Sequence, residues 1–395
     1  MSKWVPSWRY VPIDYGQEVG VFENITQKCV FTNNLDGRKL RVRLNNLCSG
    51  EPMQIRHGAV ALRSRVTGRL SPRMPLTLNG EEEMVVAADS AVYSDEILCP
   101  VSREEDIILY LYFGSRYAVR SVCTTCTWHS WQSVQYTGDF TQTETLGFTV
   151  KPQLVPVLAM EPYPNQFAAG VSEVSVLTDD DVKLIGLFGD SITHMSYFSD
   201  SLTAMLYDRF PGQCAVINGG ISGNRIQKSH PVLRDFPGGG RQFGAAGKDR
   251  FQTDMYNGAK PDDVFLLEGV NDCSHSIVFR EPDVPKAEDI FEALLDTIRQ
   301  GQDRGSAVFV STIPPFGAFG EPWRDQAEAL RCEYNALIRS RCAAGSWIDL
   351  DAVMRDPDDP HRMQDGMNLG DGVHPNWAGG AKMARAVFEK FFSAL

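Results

Sequence analysis

Apolar and polar positions follow two different rhythms along this chain of 395 residues. Between about residues 20 and 150 the apolar runs are short and rich in β-branched and aromatic residues. "KLRVRLNNL" (39–47), "EEMVVAA" (82–88) and "DIILYLYF" (106–113) are examples, with Gly, Asn and Pro between them. "RVRL" alternates charged and apolar residues, as a strand with one wet face does. No stretch there has helical spacing. The pattern predicts an antiparallel, jelly-roll-like β-sandwich over 1–150.

From about 183 the rhythm changes. "KLIGLFG" (183–189), "CAVINGG" (214–220), "DVFLLEG" (263–269) and "AVFVSTIP" (307–314) are apolar runs of strand length, and "WIDLDAV" (347–353) supplies a fifth. Helical patterns separate them at 197–210, 286–302 and 321–342, and a last one closes the chain at 376–392. Apolar strands alternating with amphipathic helices predict an α/β domain over 183–395, its parallel sheet covered on both faces. Residues 151–182 carry four prolines, at 152, 156, 162 and 164, and two apolar runs, "LVPVLAM" and "VSEVSVL". They read as a packed connecting segment, which predicts a sandwich seated on the α/β domain and shaping its pocket entrance.

Composition narrows the function by exclusion. A net charge of −12 argues against general affinity for nucleic acid or an anionic membrane surface. No run approaches 18 uninterrupted apolar residues, and the first residues lack the apolar core of a secretory signal. Nine cysteines at irregular spacing then read as reduced thiols, and the expected location is cytoplasmic.

Ligands of open parallel sheets bind beyond the carboxyl ends of the strands, and four polar clusters fall at such positions. Gly189-Asp190-Ser191 follows the first strand, and Gly219-Gly220-Ile221-Ser222-Gly223-Asn224 follows the second. Gly269-Val270-Asn271-Asp272 follows the third, and "DGVHPN" (371–376) precedes the last helix. Each type suits a step of acyl transfer. A serine hydroxyl needs a base to take its proton, and the base needs a partner that fixes its tautomer. Ser191, His374 and Asp371 supply these. Asp371 and His374 are three residues apart on one turn, so both side chains can point the same way. A developing oxyanion needs donors, for which the N–H groups of Ser191 and Gly223 and the amide of Asn271 are suitable. Asp190 reads as a turn-former that accepts backbone N–H groups, with Asp272 in a similar supporting role.

Together, in this order, the four clusters resemble the signature blocks of the SGNH (GDSL-type) hydrolases. The resemblance covers 183–395, and "GKDRFQTDMYNGAKPDDVFLLEGVND" (247–272) extends it. It implies a flavodoxin-like three-layer α/β/α fold and an esterase that needs no cofactor. It also implies Ser191 as nucleophile, His374 as base, Asp371 as its orienting acid, and Gly223 and Asn271 in the oxyanion hole. "LDGRKLRVRLNNLCSGEPMQIRHGAVAL" (35–62), "SDEILCPV" (94–101) and "YTGDFT" (136–141) resemble the β-sandwich that precedes this domain in one bacterial subgroup. Several members with that layout deacetylate carbohydrates, which implies a short-acyl ester, acetyl on a small molecule or oligosaccharide, as substrate. A lipid-type acylhydrolase or thioesterase with the same triad is the alternative, and an inactive glycan-binding protein is a third reading. Neither nucleic acid nor membrane is expected as a partner, and a homo-oligomer stays open. Where many members have an acidic residue and glycine, this chain has His194-Met195.

Other signals are weaker. Cys123-Thr-Thr-Cys126 with His129 lacks the second pair a structural zinc site uses, so no metal is expected. "PGGGRQFG" (237–244) has the wrong spacing for a dinucleotide loop and reads as a loop over the active site. Asn224, Arg225 and Arg241 are candidates to touch substrate there, as is His194. His275, four residues after Asn271, is the remaining histidine of interest.

Overall fold

The computed structural model describes residues 2–143, 149–150, 166–230, 237–317 and 323–395. By its internal contacts the chain divides into two units. The first is Met1–Val182 with Phe210–Ile217, and the second is Lys183–Arg209 with Asn218–Leu395.

In the first unit the predicted alternation becomes antiparallel pairing. One sheet runs, in spatial order, Thr149–Val150, Trp131–Thr137, Ile25–Thr32, Glu105–Phe113, His57–Ser64 and Met74–Leu76. A second runs Lys3–Arg9, Val171–Thr178, Gly37–Asn45 and Ala91–Tyr93, with Ile97–Val101 also on Gly37–Asn45. Leu40, Val42 and Leu44 are fully buried while Arg41 and Arg43 between them are partly exposed, as period-two alternation requires. Aromatic rings join the two sheets: Trp8 of the second lies 4.4 Å from Phe31 and 5.5 Å from Trp131 of the first, centroid to centroid. No helix occurs among the described residues of this unit.

The segment expected to connect the two parts is placed differently. Of 151–182, "LVPVLAM" lies outside the described residues. Residues 151–165 as a whole lie outside them, and the described part, 166–182, holds the strands Gln166–Ala169 and Val171–Thr178. Val171–Thr178 pairs with Lys3–Arg9 on one side and Gly37–Asn45 on the other, so its backbone groups are satisfied inside a sheet of the first unit.

A five-stranded sheet, four of whose strands lie wholly in the second unit, runs in the order Cys214–Gly220, Lys183–Gly189, Asp263–Leu267, Ala307–Ser311, Trp347–Ile348. The last three neighbouring pairs are parallel, and the order 2-1-3-4-5 is the flavodoxin-like one. The central strand Asp263–Leu267 is buried at every position, as a strand covered on both faces is. Helices α1 (Ser191–His194), α2 (Tyr197–Arg209), α3 (Gly247–Tyr256), α4 (Val270–Val278), α5 (Ala287–Asp303), α6 (Trp323–Arg341), α7 (Leu350–Met354) and α8 (Trp377–Val387) alternate with the strands. They pack as two groups: α2 and α7 against α8, and α5 against α3 and α6, with α4 also on α6. "WIDLDAV" is not one strand. Only Trp347–Ile348 pairs, because the Asp349 carboxylate accepts the Ala352 N–H at 3.0 Å and starts α7. Among the described residues no helix is long and apolar enough to cross a membrane.

Candidate active site

Ser191 is the first residue of α1, directly after the strand Lys183–Gly189. Asp190 caps this helix by accepting the Ile192 N–H at 3.0 Å. A side chain on Gly189 would meet the Thr193 hydroxyl at 2.3 Å and the Leu267 carbonyl at 2.5 Å, so the turn closes tightly only with glycine there. The Ser191 Oγ lies 2.8 Å from His374 Nε2, and His374 Nδ1 lies 2.6 Å from Asp371 Oδ2. The other Asp371 oxygen accepts the backbone N–H groups of Val373 and His374, both at 2.9 Å. One carboxylate therefore shapes the turn and orients the ring. Asn376 then caps α8 by accepting the Gly379 N–H at 3.1 Å.

Hydrogen bonds tie the four sequence clusters to one another. The Gly189 carbonyl accepts the Ile221 N–H at 3.0 Å, and His194 Nδ1 meets Ser222 Oγ at 2.6 Å. These join the first cluster to the second. The Asn271 amide donates to the Asn224 carbonyl at 2.9 Å, and Asp272 accepts the N–H groups of Ile226 and Gln227 at 2.8 and 2.9 Å. These join the second to the third, and Ser191–His374 joins the first to the fourth. Asn271 keeps a second amide hydrogen beyond the one on Asn224. Asn271 and Asp272 sit in the first turn of α4.

Gly223 has φ +76°, the left-handed region that favours glycine, and a Cβ there would lie 2.1 Å from the Phe243 ring. That ring packs 5.4 Å from His275, which in turn packs 5.0 Å from Phe279. Burial pushes His275 down to about 3, so it is neutral, and its buried Nδ1 has no hydrogen-bond partner among the described residues.

Two expected substrate contacts point elsewhere. Asn224 is fully buried: its Nδ2 donates to the carbonyls of Phe243 and Ala245, and its Oδ1 accepts from Arg250. Arg225 is also buried and donates to both oxygens of Glu281 at 2.9 Å and to the Ser229 carbonyl. Both bind loops together from within, because each polar group sits where a turn leaves carbonyls or a carboxylate to satisfy. His194 is only 5% exposed, whereas Arg241 is exposed. The glycine-rich stretch Pro237–Phe243 forms short 3₁₀ turns, with Gly238, Gly239 and Gly240 all at positive φ. Cys123 and Cys126 are buried thiols, whereas His129 is exposed.

Buried acids surround the strand ends. Burial is the main cause that pushes Asp190 up to about 7 and Asp272 up to about 6, and it raises Glu268 well above the carboxylate range. Arg250 lies 3.4 Å from Glu268, yet burial outweighs its pull. Arg250 and Glu268 were not singled out in the sequence. The available signal was a cation next to Phe251, on the face of α3 that the fold buries.

The geometry suits covalent acyl transfer: a hydroxyl on a base, a base on a carboxylate, and backbone and amide donors on neighbouring turns. Residues 187–382 match the GDSL-like lipase/acylhydrolase family. A "multidomain esterase" of Ruminococcus flavefaciens is 30% identical over 131 residues, which are 33% of this chain and 15% of that protein. The chain thus spans a small part of that relative's length. Among solved structures, a GDSL-like lipase from Bacteroides thetaiotaomicron is 19% identical, over 54% of this chain and 89% of that one, with a TM-score of 0.39. An acetylxylan esterase from Geobacillus stearothermophilus is 18% identical, over 54% of this chain and 96% of that one, with a TM-score of 0.39.

Proposed function

We propose that this chain, whose residues 187–382 belong to the GDSL-like lipase/acylhydrolase family, is a serine esterase that hydrolyses short-acyl esters, acetyl on a carbohydrate in particular. The observation that carries this reading is the unbroken line from Ser191 Oγ to His374 Nε2 at 2.8 Å and from His374 Nδ1 to Asp371 at 2.6 Å. Ser191 attacks the ester carbonyl as His374 takes its proton, and Asp371 holds the tautomer and stabilises the imidazolium. The oxyanion is received by the N–H groups of Ser191 and Gly223 and by the Asn271 amide. Ser191 opens a helix, so its N–H has no acceptor within that helix. His374 returns the proton to the departing alcohol, leaving an acyl-enzyme on Ser191. It then takes a proton from water, which attacks the acyl carbon, and gives that proton to Ser191 Oγ as the bond from Oγ to the acyl carbon breaks and the acid leaves.

A short acyl group is favoured by what stands beside the oxyanion donors. The Phe243 ring occupies the space a side chain at Gly223 would need, and His275 and then Phe279 pack beyond it, tilted and edge-on. The net charge of −12 favours a neutral substrate over a fatty acid or an anionic lipid surface. The test pairs a chain-length series of p-nitrophenyl esters with acetate release from acetylated xylo-oligosaccharides. We expect the acetyl ester to turn over fastest, at least roughly tenfold above the octanoyl ester, with acetate released from the oligosaccharides. A maximum at octanoyl or longer would move the assignment to a lipid-type acylhydrolase.

A further inference from the structure

Arg250 is 6% exposed and bonds to the turns that carry Ser191 and Gly223. Its Nη2 donates to the Gly189 carbonyl at 3.0 Å, its Nη1 to the Gly219 carbonyl at 2.8 Å, and its Nε to Asn224 Oδ1 at 2.8 Å. Its charge faces Asp254 at 2.8 Å and Glu268 at 3.4 Å, and its guanidinium lies 4.0 Å from the Phe188 ring centroid. Burying a guanidinium costs several kcal/mol, and packing α3 on the sheet would need only an apolar residue there. The planar fork does something an apolar residue cannot. It fixes three acceptors, one at the end of the first strand and two flanking the turn after the second, relative to one another.

Those acceptors are not arbitrary. Gly189 lies two residues before Ser191, and its carbonyl also accepts the Ile221 N–H at 3.0 Å. Gly219 is the last but one residue of the second strand. Asn224 follows Gly223, and its backbone carbonyl holds the Asn271 amide at 2.9 Å. We propose that Arg250 is a positioning residue for the oxyanion donors. It sets the Ser191 turn against the Gly223 turn and, through Asn224, aims the Asn271 amide. This rests on the roles given above to Ser191 and Asn271. Removing the fork loosens donors that act on the transition state far more than on the bound ester, so the loss falls on kcat rather than KM.

The test is a double-mutant cycle on the full chain with p-nitrophenyl acetate, comparing Arg250→Lys, Asn271→Ala and the pair. Lysine keeps a cation near Asp254 but cannot reach three acceptors at once. Arg250→Lys should lower kcat by roughly thirtyfold or more with KM within about threefold, and Asn271→Ala by about a hundredfold, as loss of one oxyanion donor does. The double variant should be only about two- to threefold slower than the slower single, because both changes disable the same donor. Multiplying losses, or a change confined to KM, would overturn the assignment and leave Arg250 a packing residue. If Arg250→Lys does not fold, Asn224→Ser, which removes the Nε acceptor, enters the same cycle with the same expected non-additivity. Ser191→Ala is measured alongside. If it retains activity, the nucleophile assignment falls and Arg250 with it, whereas additivity with an inactive Ser191→Ala overturns Arg250 alone.

Discussion

Replacing Asp371 by asparagine separates the two jobs its carboxylate performs. One oxygen accepts the N–H groups of Val373 and His374 at 2.9 Å each, and the other meets His374 Nδ1 at 2.6 Å. In Asp371→Asn the amide oxygen can keep both backbone hydrogens, because the opposite orientation would set the NH₂ against two N–H donors. The NH₂ then faces Nδ1, which must accept, so the ring proton moves to Nε2. That nitrogen lies 2.8 Å from Ser191 Oγ and can no longer take its proton. The fold should survive with its melting temperature nearly unchanged. The kcat for p-nitrophenyl acetate should fall on the order of 10³–10⁴-fold, about 4–5 kcal/mol of barrier, with KM little altered. Asp371→Ala should lose the rate and also about 1 kcal/mol of stability, since it leaves two N–H groups without their acceptor at a largely buried turn. Steady-state kinetics and thermal melts on the three proteins decide the matter. A loss of less than about tenfold in a folded Asp371→Asn would show that the carboxylate does not set the tautomer of His374.

Two further outcomes follow from the buried surroundings. Gly223→Ala should lower the melting temperature by several degrees, because φ +76° costs a non-glycine residue about 1–2 kcal/mol and the new Cβ would press on Phe243. It should also cut kcat by more than about tenfold, and adding Phe243→Ala should recover part of that rate; full activity in Gly223→Ala alone would remove residue 223 from the oxyanion site. Burial raises Asp190 from 3.8 to about 7. The folded state therefore keeps a proton that the unfolded state has lost, and the contribution of Asp190 to stability falls as pH rises from about 4 to about 7. Asp190→Asn keeps an acceptor for the Ile192 N–H and should shrink the difference in melting temperature between about pH 5 and pH 8, part of which remains through Asp272. An unchanged difference would show that Asp190 is not the group responsible.

What could be read from the sequence was whatever periodicity and residue chemistry express locally. The alternation at Leu40, Val42 and Leu44 marked a sandwich strand, and the apolar runs at 183–189 and 263–267 marked a covered parallel sheet. Ser191, Asn271, Asp371 and His374 stood out because polar residues at strand ends have few structural reasons to recur in that order. Side-chain direction was not legible. Asn224 and Arg225 carry groups that suit a substrate, yet the turns they sit in direct those groups onto carbonyls and a carboxylate. Val171–Thr178 reads as a linker because its partners, Lys3–Arg9 and Gly37–Asn45, lie far off in the chain. "WIDLDAV" reads as a strand until the cap at Asp349 is seen. Arg250 looked like any helix arginine, since nothing local shows that the two glycine-rich turns after the first and second strands converge on it.

The most direct test of the central claim is where a serine-reactive fluorophosphonate attaches. The reagent mimics the tetrahedral intermediate and bonds to a hydroxyl only where a base activates it. Intact-mass measurement followed by peptide mapping should find one adduct per chain, on Ser191 in the peptide containing Gly189-Asp190-Ser191. Labelling should vanish in Ser191→Ala and slow by at least about a hundredfold in His374→Ala. An adduct on another residue, or an unlabelled Ser191 in folded protein, would contradict the assignment of Ser191 as the nucleophile.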